Sequence, residues 1–253
     1  MSRILEAFEK RKALIAYITA GDPSLAVTEK LIYAIEKAGA DIIELGVAFS
    51  DPLADGPVIQ ASHLRALKTS LADVIKLAAK VRKKTKIPIV LMLSDNLVVK
   101  YGTERFYNNA SSAGIDGVII PDLPPEEFSE KGYKLQLDNI LLVAPTSTEE
   151  RMVKISELST GFIYLVSLTG ITGQRKKVSA DVDMLVKRVR KYTDKPVAIG
   201  FGISNPKQAE MYARMSDGII VGSAIVDCLA KNKKNSVPAV AKFVSSLRRA
   251  IDR

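Results

Sequence analysis

Short, wholly apolar runs recur along this chain, each followed by a stretch of helical periodicity, and this alternation constrains the fold more than any other feature. Ala13 to Thr19 is the first such run. It ends at Gly21-Asp22-Pro23, where Asp22 can cap a helix and Pro23 suits its first turn. Val27, Leu31, Ala34, Ile35 and Ala38 then repeat at helical spacing, Gly39 stops the helix, and a strand from Asp41 to Gly46 completes a βαβ unit. The pattern continues with strands at 87–93, 116–121, 139–144, 161–167, 196–200 and 217–222. Between them it predicts helices at 71–84, 103–113, 148–158, 180–192 and 205–215, a short helix after Pro124-Pro125, and further helices at the C-terminal end. Ser70 and Asp73 supply an S-x-x-D start signal for the helix at 71–84.

Strands this apolar have no wet face, so they imply a parallel sheet covered by helices all round. About eight units in 253 residues is the size of a closed (β/α)₈ TIM barrel. An open doubly wound sheet is the alternative. No linker or low-complexity tract divides residues 1–253, which read as a single domain of class α/β.

Composition narrows the chemistry. No run of about eighteen apolar residues is present, so no membrane span is expected. The first twelve residues lack the uninterrupted apolar segment of a signal peptide, which predicts a cytoplasmic protein. One cysteine, Cys228, excludes an internal disulfide, and with one histidine, His63, there is no His or Cys cluster for a metal. The net charge of +9 is spread along helical segments, with several bases one turn from an acid, as in Glu6/Lys10, Glu150/Lys154 and Asp183/Lys187. Aromatics are few and no basic stripe alternates with them, so nucleic-acid binding is not expected.

Barrels build their sites at the C-terminal ends of strands. There Glu44 interrupts an otherwise apolar strand, and Asp55 follows in a stiff Pro-Leu-Ala-Asp-Gly-Pro turn. Two carboxylates in different surroundings can divide acid and base work. The competing readings are that Glu44 pairs with a buried basic group and that Asp55 only caps the helix after Gly56. Three glycine-bearing segments, 169–173, 200–204 and 222–224, resemble a phosphate cradle, with a helix starting at Ser223 to aim its positive end at the anion. Residues 174–178 read as a mobile lid or as a plain surface loop. Tyr17, Tyr164 and Phe201 lie at or near strand ends, where they serve either as core or as an aromatic wall of the site. His63 reads as a surface or packing residue rather than a catalyst, and Cys228 as a buried helix residue.

The motif Glu-Leu-Gly-Val-Ala-Phe-Ser-Asp-Pro-Leu-Ala-Asp-Gly-Pro (44–57) closely resembles the signature of the tryptophan synthase alpha subunit family. Tyr-Ile-Thr-Ala-Gly-Asp-Pro (17–23), Pro-Asp-Leu-Pro (121–124), Gly-Ile-Thr-Gly (170–173), Gly-Phe-Gly-Ile-Ser (200–204) and Val-Gly-Ser-Ala-Ile-Val (221–226) follow in that family's order. The resemblance covers nearly the whole chain. It implies retro-aldol cleavage of indole-3-glycerol phosphate to indole and glyceraldehyde 3-phosphate, with no metal or organic cofactor in this chain. Carried over by motif, Glu44 would be general acid and base, and Asp55 would hydrogen-bond the indole N–H. Gly173, Gly202, Gly222 and Ser223 would hold phosphate, while Tyr17, Thr172, Tyr164 and Phe201 would surround indole and glycerol. The implied partner is a beta subunit carrying pyridoxal phosphate, in an α₂β₂ complex through which indole is passed for tryptophan biosynthesis.

The chain departs from the family at several places. Ala16 and Ala48 stand where proline is usual, Leu168 where arginine is usual, and Leu93-Ser-Asp-Asn-Leu97 replaces a segment that commonly carries aromatics. The loop around Ala48 faces the beta subunit in the family, so these changes bear on partner affinity and cross-talk. Two other functions remain open from sequence. One is a phosphate-binding barrel isomerase or epimerase, whose members share the cradle but not residues 44–57. The other is a barrel acting mainly as allosteric activator of a beta subunit.

Overall fold

The computed structural model describes residues 2–52, 55–130, 137–166, 175–200 and 202–253, with side chains in the second stretch described up to residue 128 and in the fourth from residue 180 onward. Helix α1 (Arg3–Lys10) leads into β1 (Ala13–Thr19), α2 (Leu25–Lys37) and β2 (Ile42–Gly46). Two helices, α3 (Pro57–Ala66) and α4 (Leu71–Arg82), precede β3 (Ile89–Met92), and two more, α5 (Asp95–Tyr101) and α6 (Thr103–Ser112), precede β4 (Gly117–Ile119). Next come α7 (Pro125–Glu130), β5 (Asp138–Asn139), β6 (Leu142–Val143), α8 (Glu149–Leu158), β7 (Ile163–Val166) and α9 (Arg175–Arg190). The chain continues through β8 (Val197–Gly200), α10 (Pro206–Ala213), β9 (Gly218–Val221), α11 (Ser223–Lys231) and α12 (Ser236–Ile251).

All the strand pairings are parallel, in the order β5-β4-β3-β2-β1-β9-β8-β7-β6. The two edges belong to one segment of chain. Its first half pairs with β4 and its second with β7. Between them the Ile140 N–H donates to the Val118 carbonyl at 3.0 Å and the Tyr164 N–H to the Leu141 carbonyl at 3.0 Å. The segment expected as one strand at 139–144 thus steps from one neighbour to the other and closes the ring, so nine ladder segments make an eight-stranded TIM barrel.

Alternation along each strand divides two cores. Leu14, Ala16 and Ile18 of β1 face the surrounding helices, as do Ile43 and Leu45 of β2. Ile15, Ile42, Val90, Ile119, Ala198 and Ile220 fill the barrel interior. Helix α1 closes the lower end by packing Ile4, Ala7 and Phe8 into that interior, with the Phe8 and Phe162 rings 5.4 Å apart. Burying both faces of every strand is why no polar alternation appears in the sequence.

At the N-terminal ends of the strands one device recurs three times. Asp41 accepts from the Leu14 N–H at 2.8 Å and from Arg248 at 2.7 Å; Asp116 accepts from the Ile89 N–H at 2.8 Å and from Arg82 at 2.7 Å. Asp217 accepts from the Val197 N–H at 2.8 Å and pairs with Arg190. Each aspartate ties a strand to its neighbour and to a covering helix.

Two local expectations change. Ser24, not Asp22, caps α2, accepting from the Val27 N–H, while Asp22 is buried in a two-pronged pair with Arg65 at 2.8 and 2.7 Å. Helices α1, α3 and α5 lie outside the simple alternation. The capping box at Ser70 and Asp73 forms as the sequence predicts, and Gly39 takes a left-handed φ of 102° after α2. Among the described residues no helix is long and apolar enough to cross a membrane.

Candidate active site

The period of two that points Ile42 into the barrel points Glu44 there as well, one layer nearer the C-terminal end. Parallel register sets it beside Tyr17 of β1 and Val90 of β3. Above this layer opens a cavity of about 270 Å³. Its floor carries Tyr17, Glu44, Met92 and Tyr164, one wall is the start of α3 from Asp55 to Ile59, and the opposite wall holds Gly202, Gly222 and Ser223. Glycines make room for the two rings. A Cβ at Gly200 would lie 2.5 Å from the Tyr164 ring, and one at Gly46 would collide with Tyr17.

Glu44 is 1% exposed, and among the described residues its Oε2 has no hydrogen-bond partner. Burial, reinforced by the nearby charge of Asp55, pushes its pKa up from 4.5 to about 8. It is therefore a neutral acid at neutral pH. The alternative in which a buried cation holds Glu44 does not describe this site, because no basic group contributes to that shift among the described residues.

Asp55 is half-buried and sits just before α3. Its own N–H donates to the Pro52 carbonyl at 3.1 Å, and Gln60 Nε2 donates to its carbonyl at 2.9 Å. The helix cap is Gly56, with no side-chain cap bond, so Asp55 does not serve that purpose. Burial raises the Asp55 carboxyl above its ordinary value, while His63, 3.9 Å away, opposes the rise. Burial raises the Tyr164 hydroxyl too, with Glu44 adding to the effect, so this phenol stays protonated.

Across the cavity α11 starts at Ser223, with Gly222 at its cap and no side-chain acceptor there. Its first amides and positive end are thus arranged for an anion. The structure brings Tyr17, Glu44, Asp55, Tyr164, Gly202, Gly222 and Ser223 around one cavity. Thr172, Gly173, Phe201, Leu168 and Gln174 lie outside the described residues, while residues 175–178, expected as a lid or surface loop, instead open helix α9. Ala16 is buried against the helices, on the face away from the cavity, and Ala48 is buried in the loop after β2.

Sequence reasoning missed two contributors. Met92, the last residue of β3, lines the cavity and was marked in the sequence only by its place in the strand expected at 87–93. Of the two readings of His63, surface or packing, the structure supports packing: it is 6% exposed and bonded to Tyr17 and to the Phe49 N–H. Its only signal was a place on the helix that follows the acidic loop. Cys228 is half-buried on α11 rather than fully buried.

A sequence profile of the tryptophan synthase alpha chain family matches residues 5–252. The chain belongs to the tryptophan synthase alpha chain family. It is 48% identical to the tryptophan synthase alpha chain of Thermoanaerobacter sp. (strain X514), covering 99% of this chain and 100% of that one. With the alpha chain of Dehalococcoides mccartyi the identity is 46%, covering both chains fully at 100%. Tryptophan synthase subunit alpha from Legionella pneumophila superimposes with a TM-score of 0.92 at 36% identity, covering 100% of this chain and 99% of that one. A tryptophan synthase chain from M. tuberculosis, in an aminoacrylate-bound form, gives 0.88 at 32% identity, covering 99% and 100%. The tryptophan synthase alpha chains are lyases of tryptophan biosynthesis that cleave indole-3-glycerol phosphate, and membership implies partnership with a beta subunit. The match runs through the acidic loop, which sets aside the isomerase or epimerase reading.

Proposed function

We propose that residues 1–253 form one catalytic barrel that cleaves indole-3-glycerol phosphate with Glu44 and Asp55. The observation that supports this most strongly is a protonated Glu44 in the cavity, its Oε2 without a partner among the described residues, with a second acid across from it. In the first step the Glu44 carboxylic acid gives its proton to indole C3. The positive charge that develops on the ring is stabilised by Asp55, which accepts a hydrogen bond from the indole N–H. The Glu44 carboxylate then takes the proton of the glycerol hydroxyl as the carbon–carbon bond breaks. The bonding electrons return to the ring, releasing indole and glyceraldehyde 3-phosphate and restoring the acid. A low-dielectric floor favours this exchange, because Glu44 begins and ends neutral.

Gly202, Gly222 and Ser223 hold the phosphate through backbone and hydroxyl donors, together with Gly173. Tyr17 and Tyr164 flank the indole, together with Thr172 and Phe201. The reaction draws on no cofactor in this chain. The indole passes to a pyridoxal-phosphate-bearing beta subunit within an α₂β₂ complex in the cytoplasm. Glu44→Gln keeps the shape and removes the proton donor, so indole release should fall by roughly 10² or more; near-normal turnover would overturn the role of Glu44. Titrating a beta subunit while following both half-reactions separates this enzyme from a pure activator, which would alter serine chemistry without ever releasing indole.

A further inference from the structure

Beside the acidic loop, five hydrogen bonds run in one line between two backbone groups. The Phe49 N–H donates to His63 Nδ1 at 3.2 Å, and His63 Nε2 lies 3.2 Å from the Tyr17 hydroxyl. Tyr17 Oη is 3.2 Å from Thr19 Oγ1, which is 2.6 Å from Ser62 Oγ, and Ser62 Oγ donates to the Ile59 carbonyl at 2.7 Å. A hydroxyl has one proton to give and a carbonyl can only accept. Ser62 gives its proton to Ile59, so Thr19 must donate to Ser62, Tyr17 to Thr19, and the His63 Nε2–H to Tyr17. The other end requires the same tautomer, because a nitrogen that accepts the Phe49 N–H carries no proton. Both ends of the chain agree.

The surroundings keep this imidazole neutral. Burial lowers its pKa, outweighing the opposing effect of Asp55. Tyr17 faces it from β1 and Asp55 from the loop before α3, with Asp55 Oδ2 3.9 Å from Nε2. A second cavity of about 280 Å³ adjoins the first at Tyr17, Asp55 and Met92, and there His63 also shares the wall with Asp51 and Asp122. The ring thus fastens Phe49, in the loop leading to Asp55, to a strand that forms the site floor. A protonated ring would direct an N–H at the Phe49 N–H and lose that contact.

We propose that His63 is a positioning residue for the cleavage reaction: as the neutral Nε2–H tautomer it ties the acidic loop to β1 and faces Asp55, setting that carboxylate for the indole N–H. This rests on the role given to Asp55 above.

The chain has a single histidine, so ¹⁵N-histidine labelling of the full-length protein reports on His63 alone. NMR at neutral pH should show a protonated Nε2 and an unprotonated Nδ1. An Nδ1–H tautomer, or the averaged mixture of a free imidazole, would overturn the proposal. In kinetics, His63→Ala should lower kcat by roughly tenfold or more with KM changed by less than about threefold, the pattern of a misplaced catalytic group. On an Asp55→Asn background the same change should cost nothing further, since it acts through that carboxylate. His63→Asn, whose amide oxygen can still accept the Phe49 N–H, should recover part of the rate. Wild-type kcat in His63→Ala, or losses that add fully to those of Asp55→Asn, would overturn the positioning role. A full rate in Asp55→Asn itself would overturn the reading of Asp55 and positioning with it, while the NMR result would still decide the direction of the hydrogen-bond chain.

Discussion

At the N-terminal end of the barrel, Asp41, Asp116 and Asp217 each accept from a strand N–H and pair with an arginine, whereas at the C-terminal end Glu44 has an oxygen with no hydrogen-bond partner among the described residues. The barrel surrounds both sets of acids with apolar strands, yet their partners differ. The paired aspartates join strand to helix. An unpaired glutamate takes up a proton, because leaving a bare charge in the interior costs more than neutralising it. One end of the barrel therefore uses acids for stability, and the other keeps an acid with a proton to transfer.

Breaking the lower end should have the larger effect on folding. Arg248 is 5% exposed and pairs with Asp41, so Arg248→Ala should cost about 3 kcal/mol, read by denaturant unfolding, with kcat per folded molecule unchanged. A pH series probes the upper end. The Glu44 pKa is raised to about 8, so the proton-donating form dominates below that pH. kcat/KM should fall by about tenfold per pH unit above it. The acid limb should reflect Asp55, whose carboxyl is raised above its ordinary value.

Next in size is the capping box, remote from both ends' chemistry. Ser70→Ala should cost about 1 kcal/mol with no change in rate. Glu44→Gln tests stability at the upper end, where the size and sign of the effect depend on pH. A raised carboxyl pKa means that the native state holds a proton the unfolded chain has lost. The contribution of Glu44 is thus complete below 4.5 and declines as pH rises through about 8. Glu44→Gln should match the parent in melting temperature near pH 4 and melt clearly higher near pH 8. A variant less stable at pH 8 than its parent would show that Glu44 has a stabilising partner after all.

Much of this was legible because it is written in local patterns. Wholly buried strands gave apolar runs, Ser70 and Asp73 made their expected cap, and Glu44 stood out as a charge inside a run such as Ile42-Ile43-Glu44-Leu45. The helix at Ser223 with Gly222 before it was legible for the same reason. His63 was not, because a histidine on a helix of mixed polarity looks the same whether its ring meets solvent or a tyrosine from another strand. Asp22 misled in the other direction. Its local pattern suited a helix cap, but a long-range pair with Arg65, forty-three residues on, took the carboxylate instead.

The sequence by itself determined the parallel barrel, the two acids and the family, since apolar period, turn chemistry and motif order are properties of neighbouring residues. Only the tertiary structure decided that Glu44 is protonated, that the segment around Ile140 closes the ring, and that the proton of His63 belongs on Nε2. Those depend on which groups from distant parts of the chain share a low-dielectric space, and that proximity exists only once the barrel has closed.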